Sequence, residues 1–318
     1  MPHTSLIFDC DPGVDDAIAL FMAFASRDTL DLLGVTTVGG NVSAELTVRN
    51  ARMIREVAGR EDVPVIAGAQ QPLLRPPIDA GHFHGASGLG DLKIFDPVAP
   101  VTPGHAANFI VDTVMSRPAG TVTLAVTGPM TNLALAMRLE PALCSRIGRV
   151  VAMGGARREG GNITASAEYN IYADPHAADI VARSGCPLVM IGLDATHQVR
   201  STPDRIAVIE GLGTPQAQAV ATLLAFANRT EKALGTGGAS PMHDPCVIAY
   251  ILSPHLFKTA PCTLGIETGS PLTLGHTAVE LRVTDCAEVH VRWTVDADAD
   301  GFFNLLTKLL SPPPGRDS

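Results

Sequence analysis

The chain is 318 residues long, 46% hydrophobic and 17% charged, a composition that suits a large buried core and excludes a disordered chain. Its 23 Lys and Arg against 32 Asp and Glu leave a formal charge of -9, and the basic residues are scattered, so a nucleic-acid backbone is not expected as a partner. No apolar stretch reaches the roughly 18 residues of a membrane span, and no charged segment with an apolar run behind it opens the chain, so neither membrane nor secretion is expected.

In chain order, short β-rich runs alternate with helical patterns, as in parallel strands joined by crossover helices. A strand over 6–8 leads into a helix over 17–25. Further strands are expected over 32–38, 63–67, 122–127, 150–153 and 188–193, with helices over 44–58, 104–115, 131–138 and 175–184. Most of these strands are continuous apolar runs, as strands buried on both faces are. From 203 the pattern is helical to 234, and another helix follows Asp244-Pro245. Runs near Cys262, Leu272 and Val289 read as added, partly antiparallel strands before a last helix over 300–310, and 311–318 reads as a frayed tail. The expectation is one α/β domain over 1–310, with a mostly parallel Rossmann-like sheet, flanking helices and antiparallel C-terminal strands. Cys10, Cys144, Cys186, Cys246, Cys262 and Cys286 are widely spaced and form no CxxC pair, which points to reduced core thiols and a cytoplasmic protein.

Four aspartates crowd the end of the first strand, in Asp9-Cys10-Asp11-Pro12-Gly13-Val14-Asp15-Asp16. Carboxylates this close repel one another unless protons or a cation intervene. Oxygen ligands without nearby His or Cys suit Ca²⁺ or Mg²⁺ better than Zn²⁺. Capping of the following helix is the plainer reading for one or two of them, but four exceed that need.

In an open α/β sheet, ligands bind beyond the carboxyl ends of the strands. The second strand ends in Gly39-Gly40-Asn41, the fourth in Thr127-Gly128-Pro129-Met130-Thr131-Asn132 and the fifth in Met153-Gly154-Gly155. Any single glycine here reads as a turn former; the repetition points to a site. Gly161-Asn162 and Glu168-Tyr169-Asn170, in a loop after the fifth strand, offer amides and a carboxylate suited to hydroxyl groups, or simply a solvated loop. Asp244 of His243-Asp244-Pro245 stands at a helix start, where capping is an equal reading. Gly81-His82-Phe83-His84-Gly85, with Gly88 and Gly90, reads as a mobile loop carrying two imidazoles.

These strings, together with Thr36-Thr37-Val38 and Ala167, resemble the inosine-uridine preferring nucleoside hydrolases in order over nearly the whole chain. The resemblance implies a ribonucleoside N-glycosyl hydrolase of nucleoside salvage that releases ribose and a purine or pyrimidine base. It implies one Ca²⁺ per subunit, held by Asp11, Asp16, Asp244 and the Thr127 carbonyl, and assembly into a homo-oligomer, a dimer or tetramer. Asp11 would also take a proton from the water on the metal. Asp15, Asn41, Asn162, Glu168, Asn170 and Asp244 would hold the ribose with Met153 and Tyr169 beside it, and His243 and His84 would face the leaving base. Adjacent helical residues point about 100° apart, so Asp15 and Asp16 can serve different partners, the sugar and the ion. His243 is the candidate acid for the leaving base, because an imidazole titrates near neutral pH. Asp9, on the strand side of the turn, reads as structural.

Members of the family that choose between bases are expected to do so with aromatic and amide side chains before His-Asp-Pro. Here the segment reads Leu224-Ala225-Phe226-Ala227-Asn228-Arg229-Thr230-Glu231-Lys232, with no Tyr or Gln, which favours a broad or purine-tolerant enzyme over a pyrimidine-specific one for uridine and cytidine. An aspartyl-phosphate phosphohydrolase, suggested by a strand followed by Asp9-x-Asp11, fits less well: Gly13 stands where Thr or Val is expected, and Asn41 and His243 go unexplained. A non-catalytic nucleoside or Ca²⁺ binding protein would bind without turnover, and the intact Asp11 argues against it.

Overall fold

The computed structural model describes residues 3–282 and 289–312, so Cys286 and the last six residues of the expected tail lie outside it. The elements run β1 (Thr4–Cys10), α1 (Val14–Ala25), β2 (Leu30–Thr37), α2 (Ala44–Val57), β3 (Val65–Ala67), α3 (Gly81–His84), α4 (Ala106–Met115), β4 (Val122–Val126), α5 (Thr131–Leu139) and α6 (Leu143–Arg146). They continue with β5 (Arg149–Met153), α7 (Tyr169–Ala173), α8 (Pro175–Ala182), β6 (Leu188–Ile191), α9 (Leu193–Thr196), α10 (Pro203–Glu210), α11 (Pro215–Leu234) and α12 (Pro245–Leu252). The chain closes with β7 (Phe257–Ile266), β8 (Thr277–Glu280), β9 (Val291–Ala297) and α13 (Ala299–Leu310).

The strands form one nine-stranded sheet in the order β3-β2-β1-β4-β5-β6-β9-β7-β8. Pairing is parallel from β3 through β9 and antiparallel at β9–β7 and β7–β8, the mostly parallel sheet with an antiparallel C-terminal edge expected from the sequence. Side chains alternate between two helical layers, as the period of a strand requires. Leu6, Phe8 and Cys10 join the core beneath α1, while Ile7 joins the opposite one with Leu124 and Val126. Helix α1 is apolar on nearly every side because it packs against α2, α11, α12 and α13 at once. Each Phe or Leu buried there contributes roughly 1.5–3 kcal/mol.

The chain lays down β1, β2 and β3 in one direction, then returns to place β4, β5 and β6 on the other side of β1. The two crossovers diverge at the carboxyl ends of β1 and β4, which opens a crevice there.

Two expected elements differ. The run near Leu272 is a turn with Leu272 87% exposed, and the strand of that region is β8, starting at Thr277. The helical stretch expected over 203–234 is two helices, because Gly211, Gly213 and Pro215 break the pattern between α10 and α11. The five described cysteines carry free thiols, and Cys10, Cys186, Cys246 and Cys262 are buried. No helix of the described residues is long and apolar enough to cross a membrane.

Trp293 of β9 is fully buried, and its ring lies close against Gly155 and Gly192, at the turns that leave β5 and β6. Trp293→Ala should lower the unfolding free energy by about 3–5 kcal/mol in urea titration. A loss under about 1 kcal/mol would show that this ring does not support the strand ends.

Candidate active site

The crevice is built on β1, whose last turn carries two carboxylates into different surroundings. Asp9 Oδ1 accepts from Thr36 Oγ1 at 2.6 Å and Asn132 Nδ2 at 2.8 Å, and burial raises its carboxyl to about 7. These contacts tie β1 to β2 and to the start of α5, the structural position expected of Asp9. Asp11 Oδ2 accepts from the Asn41 N–H at 2.7 Å, whereas Oδ1 is buried without a hydrogen-bond partner. Burial first, then repulsion from Asp16, raises the Asp11 carboxyl well above the usual carboxylate range.

The glycines of the recurring strings make this packing possible. A Cβ at Gly40 would sit 2.1 Å from Asp11 Oδ2, and one at Gly128 would sit 2.6 Å from Asp11 Oδ1. Both positions need close approach to a carboxylate rather than an unusual backbone angle.

Asp16, at the third position of α1, accepts from Gly13 N–H at 3.1 Å and Asn41 Nδ2 at 3.0 Å on Oδ2, and from Thr127 Oγ1 at 2.7 Å on Oδ1. Helix capping is therefore part of what Asp16 does. Carboxylate oxygens of Asp15, Asp16 and Asp244 all lie within 4.8 Å of one another. Asp244 immediately precedes α12, so the positive ends of α1 and α12 converge on the group. Burial is the main cause raising all three carboxyls, and Coulombic repulsion adds to it at Asp16 and Asp244.

An all-oxygen, buried set of acids with Asp15 Oδ1 and Asp11 Oδ1 left without partners fits a hard divalent cation. Asp15, expected at the sugar, shares this trio, and Asp11, expected as a ligand, keeps Oδ1 without a hydrogen-bond partner. The Thr127 carbonyl accepts from Asn170 Nδ2 at 2.6 Å and retains a second lone pair.

Above the carboxylates opens a cavity of about 520 Å³ lined by Asp15, Asn41, His84, Thr127, Met153, Asn162, Glu168, Tyr169, Asn170, His243 and Asp244. Of the residues singled out from the sequence, Asp11 and Asp16 alone do not line it; both are fully buried. Glu168 is a helix cap rather than a loop residue: Oε1 accepts from Asn170 N–H at 2.9 Å, and Oε2 from Gly155 N–H at 2.9 Å and Ile171 N–H at 3.2 Å. Asn162 Oδ1 accepts from Tyr169 N–H at 2.9 Å, and Tyr169 OH donates to the Gly40 carbonyl at 2.8 Å. Glu168 and Asn162 thus brace the loop after β5 against α7, and Tyr169 ties α7 to the turn after β2.

The segment read as a mobile loop with two imidazoles contains the short helix α3, which buries His84. Its Nδ1 accepts from Val14 N–H at 3.0 Å, and burial lowers its pKa to about 4. His243 Nδ1 is 2.8 Å from Thr196 Oγ1, and burial lowers its pKa to about 3.

Sequence reasoning missed His197 and Arg200 and took Glu231 only as part of the 224–232 segment; all three line the cavity. The strand-end rule would have reached His197, since α9 follows β6 directly. Glu231 lies in the last turn of α11 and has no such local signal.

A sequence profile described as inosine-uridine preferring nucleoside hydrolase matches residues 6–304. A pyrimidine-specific ribonucleoside hydrolase of Photobacterium profundum is 42% identical over 96% of this chain and 98% of its own. An inosine-uridine preferring nucleoside hydrolase of Crithidia fasciculata is 37% identical over 96% of both chains. The solved purine-preferring ribonucleoside hydrolase of Gardnerella vaginalis superposes with a TM-score of 0.89 at 32% identity, covering 96% of this chain and 99% of its own.

A divalent cation added to metal-stripped protein should raise its melting temperature, because an ion at a hundred times its dissociation constant stabilises by about 2.7 kcal/mol. Asp16→Asn should abolish most of that rise in differential scanning fluorimetry. An equal rise in the variant would remove Asp16 from the ion site.

Proposed function

The chain belongs to the inosine-uridine preferring nucleoside hydrolase family, and we propose that within it this protein is a Ca²⁺-dependent enzyme of broad or purine-tolerant base specificity. It hydrolyses the N-glycosidic bond of ribonucleosides. One observation carries the finer reading: Asp15 and Asp244, of the acid group that begins at the end of β1, line a single cavity with amides and a carboxylate suited to a sugar and with two imidazoles.

Asp11, Asp16 and Asp244, with the Thr127 carbonyl, would hold the cation, and Asp15 stands beside them. When bound, Ca²⁺ neutralises the crowded acids and acidifies water. Asp11 takes a proton from the attacking water; its Oδ1 is the oxygen free to do so, while Oδ2 is held by Asn41. Asp15, Asn41, Asn162, Glu168, Asn170 and Asp244 bind the ribose, and Met153 and Tyr169 border it. As the bond to the base breaks, the sugar gains oxocarbenium character, and the acids around it stabilise that charge more than they stabilise the substrate.

His243 faces the leaving base. With Nδ1 held by Thr196, its Nε2 is the nitrogen left for the base. Burial favours the neutral form of this imidazole. His84 serves differently: Nδ1 accepts from the first turn of α1, which fixes the ring over the cavity and leaves Nε2 for the base or the sugar.

The named relatives include pyrimidine-specific, purine-preferring and inosine-uridine preferring enzymes, so likeness does not choose the base. The absence of Tyr and Gln from 224–232 supports broad or purine-tolerant use. Assembly into a homo-oligomer, with one ion per subunit, belongs to the same reading.

Ribose release from a panel of purine and pyrimidine nucleosides, with and without chelator, tests this reading. Turnover should extend to purines, fall to background with chelator and return with Ca²⁺. Asp11→Ala should reduce kcat by about 10³-fold or more; turnover near that of the native enzyme would sink its role as base, and activity on uridine and cytidine alone would establish the pyrimidine-specific alternative.

A further inference from the structure

A second imidazole stands beside His243 in the same cavity. His197 follows α9 directly, and its ring centroid is 5.8 Å from that of His243, at an interplanar angle of 56°. Its Nδ1 lies 2.9 Å from Glu159 Oε2. An ionised carboxylate only accepts, so Nδ1 is the protonated nitrogen of this pair. Nε2 makes no hydrogen bond among the described residues, and His197 lines the cavity.

An exposed ion pair usually contributes little, because two long side chains must be ordered to form it. Here the surrounding backbone already holds both ends. Asp194 of α9 accepts from the N–H groups of Arg157 and Arg158 at 2.8 Å each, which fastens the residues before Glu159 to the helix that leads into His197. Arg200 Nε donates to the His197 carbonyl at 3.0 Å, and Nη1 donates to the Ala239 carbonyl at 3.0 Å, so the His197 backbone is tied to the segment that leads into His243. Thr196, the neighbouring residue, holds His243 itself. Among the described residues, Glu159 and His243 meet the His197 ring, and Arg200 bonds its carbonyl.

We infer that His197, oriented by Glu159, is a second proton donor to the departing base, acting beside His243. This rests on the N-glycosyl hydrolase reading above. In the step, the C1′–N bond breaks and its electron pair passes to the base. The Nε2 proton of the His197 imidazolium passes to a basic atom of that base. Water bonds to C1′ and gives its proton to Asp11, so ribose and neutral base leave, and His197 regains a proton from solvent. His197 is then a catalytic residue and Glu159 a positioning residue. Two imidazoles side by side can reach different atoms of a base, which suits the protonation of purines and pyrimidines at different places.

The test compares kcat/KM on inosine and uridine with that on p-nitrophenyl riboside, whose phenolate departs without a proton, in the Ca²⁺-loaded enzyme. His197→Ala and the bulkier His197→Gln should lose about 100-fold on at least one nucleoside but only a few-fold on the nitrophenyl riboside. Added imidazole should restore part of the nucleoside activity of His197→Ala, which a purely structural loss would not allow. Glu159→Gln should give a smaller loss in the same direction. Equal losses on both substrate types in His197→Ala and His197→Gln, or no loss in either, overturn the proposal. An error in the His243 assignment would appear separately, as a His243→Ala enzyme that keeps the native nucleoside-to-riboside ratio.

Discussion

The burial of mutually repelling carboxylates at the carboxyl end of β1 and the starts of α1 and α12 is the constraint on which the rest of this molecule depends. Asp9, Asp11, Asp16 and Asp244 are almost wholly removed from water, and desolvation is the largest cause of each raised carboxyl. Charged groups are not held this way unless hydrogen bonds or a counter-ion compensate them. The surrounding structure supplies the hydrogen bonds: Thr36 and Asn132 to Asp9, the Asn41 backbone to Asp11, and Gly13, Asn41 and Thr127 to Asp16. They leave Oδ2 of Asp9 and Oδ1 of Asp11 and of Asp15 without partners.

The topology places this cost where it is useful. Reversal of strand order about β1 opens a crevice that helices on neither face can fill, so ligand space is created without hollowing the core. The apolar layers on both faces of the sheet are continuous beneath it. Glycines at 40 and 128 let the backbone close onto Asp11, and the cap formed by Glu168 brings α7 and Asn170 over Thr127. Each of these contacts joins segments far apart in the chain, and a loss at one would be felt at the others.

Much of this was legible in the residues. Continuous apolar runs identified the parallel strands, and the aspartate cluster with its flanking Pro and Gly marked the site. The turn at Leu272 was misread as a strand because a short apolar run carries no sign of its partner, and β8 pairs a few residues further on. The residues around His84 looked mobile because glycines dominate there; the bond from Val14 that holds the ring is invisible locally. Glu168 read as a loop residue because a cap is recognised by the helix it starts, and α7 is only five residues long.

By itself the sequence determined the class of fold, the carboxyl ends at which to look and the kinds of side chain found there, because periodicity and residue chemistry are local properties. The tertiary structure decided which of these groups meet. It drew Asp15 into one group with Asp16 and Asp244, left Asp11 Oδ1 without a partner, and put His197, paired with Glu159, next to His243. Those relations join positions separated by tens to hundreds of residues, and they exist only once the sheet has closed and its helices have packed against it.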